Sequence, residues 1–79
     1  MKFYLSYQGH YHAIEPGRRY ELGAQLASDF TLPLKQVYTL IASDKELVLG
    51  EQRYDLAGIY PVELEGITCK ILALGYQSS

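Results

Sequence analysis

Apolar and polar residues alternate with a period of two through most of the chain, in short runs broken by turn residues. In "KFYLSY" the β-formers Phe3, Leu5 and Tyr7 share one face. Gln8-Gly9 predicts a tight turn, and "HYHAI" the strand that returns from it. In "EPGR", Pro16 presets φ for the first central turn position and Gly17 accepts φ > 0 at the second, as a type II turn requires. A third strand is expected to follow at once.

The stretch "RRYELGAQLASDFTLP", 18–33, decides the fold class. Tyr20 and Leu22 alternate with Arg19 and Glu21 as far as Gly23. A helix here would absorb Gly17 and Gly23, each costing about 1 kcal/mol relative to Ala in a helix interior. Its apolar positions match helical spacing only over 23–27, and "LASD" is compatible with one helical turn. Strand, loop and strand is therefore the expected order. The helical alternative makes the chain an α+β, ubiquitin-like β-grasp.

Further on, "DFTLP" reads as a short strand closed by Pro33 and "QVYTLIA" as a stronger one. "SDKE" is a type I turn, "LVLG" returns, "EQ" turns, "RYDL" pairs again and "AGIYP" is a loop. "VELEGITCKILAL" reads as a strand, a Glu65-Gly66 turn and the longest strand. In that last strand Ile67, Cys69, Ile71 and Ala73 oppose Thr68, Lys70, Leu72 and Leu74. Two fairly apolar faces are the mark of a strand inside a sheet. Turn signals this closely spaced belong to a β-sandwich or barrel.

At 79 residues there is room for one domain, 1–79. A chain this short buries only roughly 60% of its unfolded surface, which points to a module of a larger protein or one that docks on a partner. The 48% hydrophobic share is enough for a core. No apolar run approaches the ~20 residues that span a bilayer, so no direct membrane insertion is expected. "MKFYLSYQGH" lacks the apolar centre and cleavage site of a signal peptide. A net charge of −2 argues against a nucleic-acid partner. The single cysteine, Cys69, excludes an internal disulfide and fits the cytoplasm.

Candidate chemistry is thin. His10 and His12, two apart on a strand, face the same way and could ligate a metal side by side. Zinc needs at least a third protein ligand; there is no further histidine, and Cys69 lies in an apolar strand. The pair reads as two histidines on the solvent face of a hairpin, with no metal site and no cofactor. A buried Cys69 is inert packing. Ser28-Asp29 and Ser43-Asp44 sit where such residues hydrogen-bond the local backbone. Glu63 and Glu65 read as one exposed, solvated strand face. All seven glycines are scattered singly, so no phosphate loop is present. No enzyme is expected.

The eight tyrosines are too many for so small a core. Tyr suits half-buried strand positions, and it is also enriched at interface hot spots. Some rings must reach the surface. On the N-terminal hairpin, Tyr11 and Ala13 are expected to pack inward. That leaves Tyr4, His10, His12 and Ile14 on the outer face as the expected interaction surface.

"IEPGRRYELGAQLASDFTLP" carries Gly17, Tyr20, Leu22, Gly23, Asp29 and Leu32 in order, and "VELEGITCKILALG" carries Leu64, Gly66 and Ile67. These residues resemble the opening and closing signatures of forkhead-associated (FHA) domains, "L-x-x-G-x-x-Y-x-I/L-G-R" with "D-I-x-L", and "L-x-x-G-D-x-I-x-I/L-G". The resemblance implies an all-β, FHA-like sandwich of roughly eight to eleven short strands. The family binds phosphothreonine through the Arg after its Tyr-x-Leu-Gly run, and Ala24 stands there. The family's Ser, His and Asn-Gly recognition residues have no counterpart either. Each loss removes a charge-assisted hydrogen bond to phosphate, or the loop that aims one.

A stripped domain of this sort is similar to the N-terminal cytosolic modules of the FtsK/SpoIIIE-type membrane ATPase of type VII secretion, and to cytosolic domains of type III secretion ring proteins. The resemblance implies protein–protein scaffolding, with a neighbouring FHA-like domain or secretion subunits as partners and no phosphothreonine binding. Two alternatives stand beside it: a ubiquitin-like binding module, and a small free-standing inhibitor of the phage type.

Overall fold

The computed structural model describes residues 1–23 and 30–75, with Thr31 placed by its backbone alone. Nine strands are present among these residues: β1 (Lys2–Tyr7), β2 (His10–Ile14), β3 (Arg19–Gly23), β4 (Phe30–Thr31), β5 (Tyr38–Ala42), β6 (Leu47–Leu49), β7 (Gln52–Tyr54), β8 (Gly58–Leu64) and β9 (Ile67–Leu74). They form a four-stranded sheet ordered β2-β1-β9-β8 and a five-stranded sheet ordered β4-β3-β5-β6-β7. All neighbours are antiparallel except β3 and β4. The chain is an all-β sandwich. The expected helical turn in "LASD" lies outside the described residues, but strands at Arg19–Gly23 and Phe30–Thr31 leave no room for a continuous helix over 19–30.

Turn chemistry sets the registers. Gln8 and Gly9 both take positive φ, 51° and 79°, as do Glu65 and Gly66, 54° and 81°. Positive φ at both central residues is the two-residue type I′ hairpin turn, whose twist matches that of the strands it joins. Gly17, at φ 82°, closes the expected type II turn, with the Arg18 N–H donating to the Glu15 carbonyl at 3.3 Å. Ser43 Oγ accepts from the N–H groups of Lys45 and Glu46 at 3.3 and 3.2 Å, holding the β5–β6 turn as its sequence suggested.

One core lies between the sheets. Phe3, Leu5, Ile14, Val62, Cys69 and Ile71 meet Tyr20, Leu22, Leu40, Leu47 and Leu49, with Leu32 and Leu34 closing one end. Among the described tyrosines Tyr20 is the buried one, and its hydroxyl is satisfied by the Glu15 N–H at 3.0 Å. Gly23 permits a close approach: a Cβ there would stand 3.1 Å from the Gln36 carbonyl oxygen and 3.2 Å from Val37 Cγ2.

Two expectations need correction. "AGIYP" is not a loop: strand begins at Gly58 and runs through Pro61. Leu64 and Ile67 flank a two-residue turn, so they form a hydrogen-bonded pair, and Pro61 falls at a position whose backbone faces away from β9. A proline on that side of an edge strand forfeits no ladder bond. The second correction concerns the N-terminal hairpin. Directly opposed residues share a face, and β1 pairs with β2 as Tyr7↔His10, Leu5↔His12 and Phe3↔Ile14. His10, His12 and Ile14 therefore stand on the inward side with Phe3 and Leu5, while Tyr11 and Ala13 share the outward side with Tyr4.

Candidate interaction face

Cross-strand registers assemble the outward surface of the four-stranded sheet. Tyr4 is opposite Ala13 on β2 and Leu72 on β9, and Leu72 is opposite Ile59 on β8. Ala13, Tyr4, Leu72 and Ile59 thus make one apolar row across the sheet. A second row runs Tyr11, Ser6, Lys70, Pro61, and Leu74 lies beside Lys2 at the margin. Tyr11 and Ile59 are each 66% exposed and Leu74 45%. Apolar side chains scattered singly need no explanation, whereas a contiguous patch on a small domain is unusual. Lys2, Lys70 and Glu63 are the charges on this side, and none has an ion-pair partner among the described residues.

Of the four expected surface residues, the structure keeps Tyr4 on this face and removes the others. Ile14 is core, 5% exposed. His10 and His12 turn toward the open side of the sandwich, where the His12 ring lies 4.7 Å from Phe30 and Phe30 stacks on Tyr20 at 5.4 Å. This aromatic column separates two clefts. One, of about 340 Å³, is lined by Leu5, Tyr7, Gln8, His10, His12, Phe30 and Leu32. The other, of about 420 Å³, is bounded by Tyr11, His12, Ala13, Glu15, Arg18, Tyr20 and Phe30. The residues missed from sequence are Tyr11, Ala13, Ile59 and Leu72. Turn length was the signal that could have found the first two: a two-residue turn at 8–9 fixes the pairing 7↔10, and with it which side of β2 faces out.

Glu65 forms a separate polar feature. Its carboxylate accepts from the Lys35 N–H at 2.7 Å, the Gln36 N–H at 3.1 Å and the Tyr38 hydroxyl at 3.1 Å. The β8–β9 turn of one sheet thereby clasps the β4–β5 connection of the other. The hydrogen bond from the Lys35 N–H is the main cause that holds this carboxyl below the usual range, outweighing desolvation. Desolvation, followed by the Glu65 hydrogen bond, pushes the Tyr38 hydroxyl up. Glu63 and Glu65 do not share a strand face, because Glu65 sits in the turn itself.

Reactive chemistry is sparse at the described positions. Cys69 is buried and its thiol is pushed up by desolvation, away from the reactive thiolate. Among the described residues, no group of three or more His, Cys, Asp or Glu is placed to hold a metal, and no helix is long and apolar enough to cross a membrane. Ala24, Ser28, Asp29 and Tyr76 lie outside the described residues. Comparison of the chain with protein-family models, with curated proteins and with solved structures finds no match.

Proposed function

We propose that this chain is a non-catalytic docking module that acts as a scaffold in a larger cytosolic protein assembly through the outward face of its four-stranded sheet. The observation that carries this reading is the row Ala13–Tyr4–Leu72–Ile59, apolar from one edge of the sheet to the other. Burying such a row stabilises a complex by about 25 cal/mol per Å² of apolar surface removed from water, before association costs. Lys2 and Lys70, set among these apolar residues, fit a protein partner that presents an apolar strip flanked by carboxylates.

The FHA likeness supports the same reading. Its retained residues have backbone and packing roles here: Gly17 and Gly66 in turns, Gly23 at a close approach, Tyr20 and Leu22 in the core. Its lost residues are the ones that recognise phosphate, so phosphothreonine peptides bind no better than about millimolar. The assembly this likeness favours is a secretion-system ATPase or ring protein.

The test replaces Tyr4 or Ile59 with Ala in the full-length chain and follows co-purification of its assembly, with thermal unfolding measured in parallel. Loss of assembly at unchanged stability is the expected result. Unchanged assembly for both variants refutes the docking face.

A further inference from the structure

The sandwich has four sheet edges, and three carry features that discourage strand addition. β4 has two residues and β7 three, and the outward position of β7 is Arg53. β8 is long, but Pro61 occupies the middle of its free side and offers no N–H. β2 has none of these devices. "HYHAI" contains no proline, no lysine and no acid, and its ladder to β1 has no bulge.

The hairpin register identifies its free groups. Pairs 7↔10, 5↔12 and 3↔14 bond within the hairpin, so Tyr11 and Ala13 direct both N–H and C=O away from β1. No described segment pairs with that side.

We infer that β2 is a self-pairing edge, along which two copies of this chain join antiparallel into one continuous eight-stranded sheet. The spacing of the free residues makes the strand complementary to itself. Tyr11 of one copy faces Ala13 of the other, and the reverse pair forms by symmetry, each exchanging both backbone bonds. His12 then faces its own counterpart across the twofold axis, on the inward side. Tyr11 packs beside the other copy's Ala13, so the apolar rows of the two outward faces run into one another. The inference goes beyond the docking reading, because it needs no other protein.

Strand-edge interfaces of this size are weak, so a dissociation constant of roughly 10 µM to 1 mM is expected. Sedimentation velocity of the purified chain across that range should show dimer growing with concentration. Ala13→Pro removes an N–H that has no partner among the described residues, and it should raise the dissociation constant at least tenfold while the monomer stays folded. Should that variant not fold, His12→Cys reads the same register. Residues opposed at a non-hydrogen-bonded pair have Cα atoms about 4.5 Å apart, within disulfide reach. Oxidised glutathione should therefore cross-link His12→Cys into a dimer and leave Val48→Cys monomeric. A chain that stays monomeric to about 1 mM, with no His12→Cys cross-link, overturns the inference. A dimer broken by Ile59→Glu but untouched by Ala13→Pro overturns it as well, and assigns self-association to the sheet face.

Discussion

The two sheets of the sandwich share one core, yet their outward faces present different surfaces. Across the four-stranded sheet the central row is Ala13–Tyr4–Leu72–Ile59; across the five-stranded sheet the matching row is Arg19–Ile41–Val48–Arg53. The second row also places branched apolar residues at its centre, but a guanidinium stands at each end. Arg19 Nε donates to Glu21 at 3.0 Å, Thr39 Oγ1 to the same carboxylate at 3.3 Å, and Arg53 lies 3.8 Å from Glu46. Ile41 and Val48 are thus hemmed in by charge that holds water close. The first row has no such frame, and its end residue Ile59 is among the most exposed large side chains. Both sheets contribute fully buried side chains to the core, Leu5 and Ile71 from one and Leu22, Leu40 and Leu47 from the other, so the contrast lies in the outward faces. The proposed docking role rests on that contrast.

The largest expected effects test whether the inner faces are as equivalent as they look. Leu5→Ala in one sheet and Leu40→Ala in the other, both fully buried, should each cost about 2–5 kcal/mol in urea unfolding. A much smaller loss for one of them would mean that its sheet is not sharing the core. Next comes Tyr4→Ala. In the intact assembly it should weaken binding by about 2 kcal/mol, roughly thirtyfold, with under about 1 kcal/mol lost from the fold. Ile41→Ala, its counterpart on the charged side, should change binding less than twofold, which is about 0.4 kcal/mol.

How much of this was legible in the sequence depends on which physical signal each element carried. The β8–β9 hairpin was readable because Glu65-Gly66 marks a turn and Ile67–Leu74 is a long run whose two faces are both fairly apolar. The strands at Arg19–Gly23 and Phe30–Thr31 were legible from the alternation around Tyr20 and Leu22 and from two glycines that disfavour a helix. Pro61 hid the first half of β8, since a proline breaks a strand only where its N–H is needed, and register, not composition, decides that. The face of β2 was misread for a related reason. Polarity suggested His10 and His12 on the outward face and Tyr11 toward the core, whereas the turn at 8–9 puts Tyr11 outward and the histidines on the inward side, where they stay exposed. Ile14 is buried accordingly, and His12 leans on Phe30 at the open side of the sandwich. The row Tyr4–Leu72–Ile59 joins residues from opposite ends of the chain, which local patterning cannot pair.

Acid should expose the tie between the sheets. Folding holds Glu65 ionised to a lower pH than the unfolded chain does, chiefly through the hydrogen bond from the Lys35 N–H. Its contribution is therefore complete above the ordinary glutamate value, about 4.3, and is lost as pH falls through the lower folded one. Glu65→Gln should be destabilising near neutrality and converge with the parent chain only once pH has fallen below the lowered folded value, as urea midpoints on acidification would record. A constant difference at every pH would remove the ionised carboxylate from the account. The smallest effect is expected at the charged face. Arg53→Ala breaks an exposed pair with Glu46 and should shift stability by less than about 0.5 kcal/mol.

The contrast between the faces can be read directly by placing a photo-crosslinking residue, p-benzoylphenylalanine, at Ile59 or at Val48 of the full-length chain in its native cell. Each position lies on an outward row, one apolar and one framed by arginine, and neither belongs to the buried core. Irradiation should yield a discrete covalent adduct with another protein from position 59 and none from position 48. Adducts from position 48 alone, or from neither, would contradict the claim that the four-stranded sheet carries the docking face.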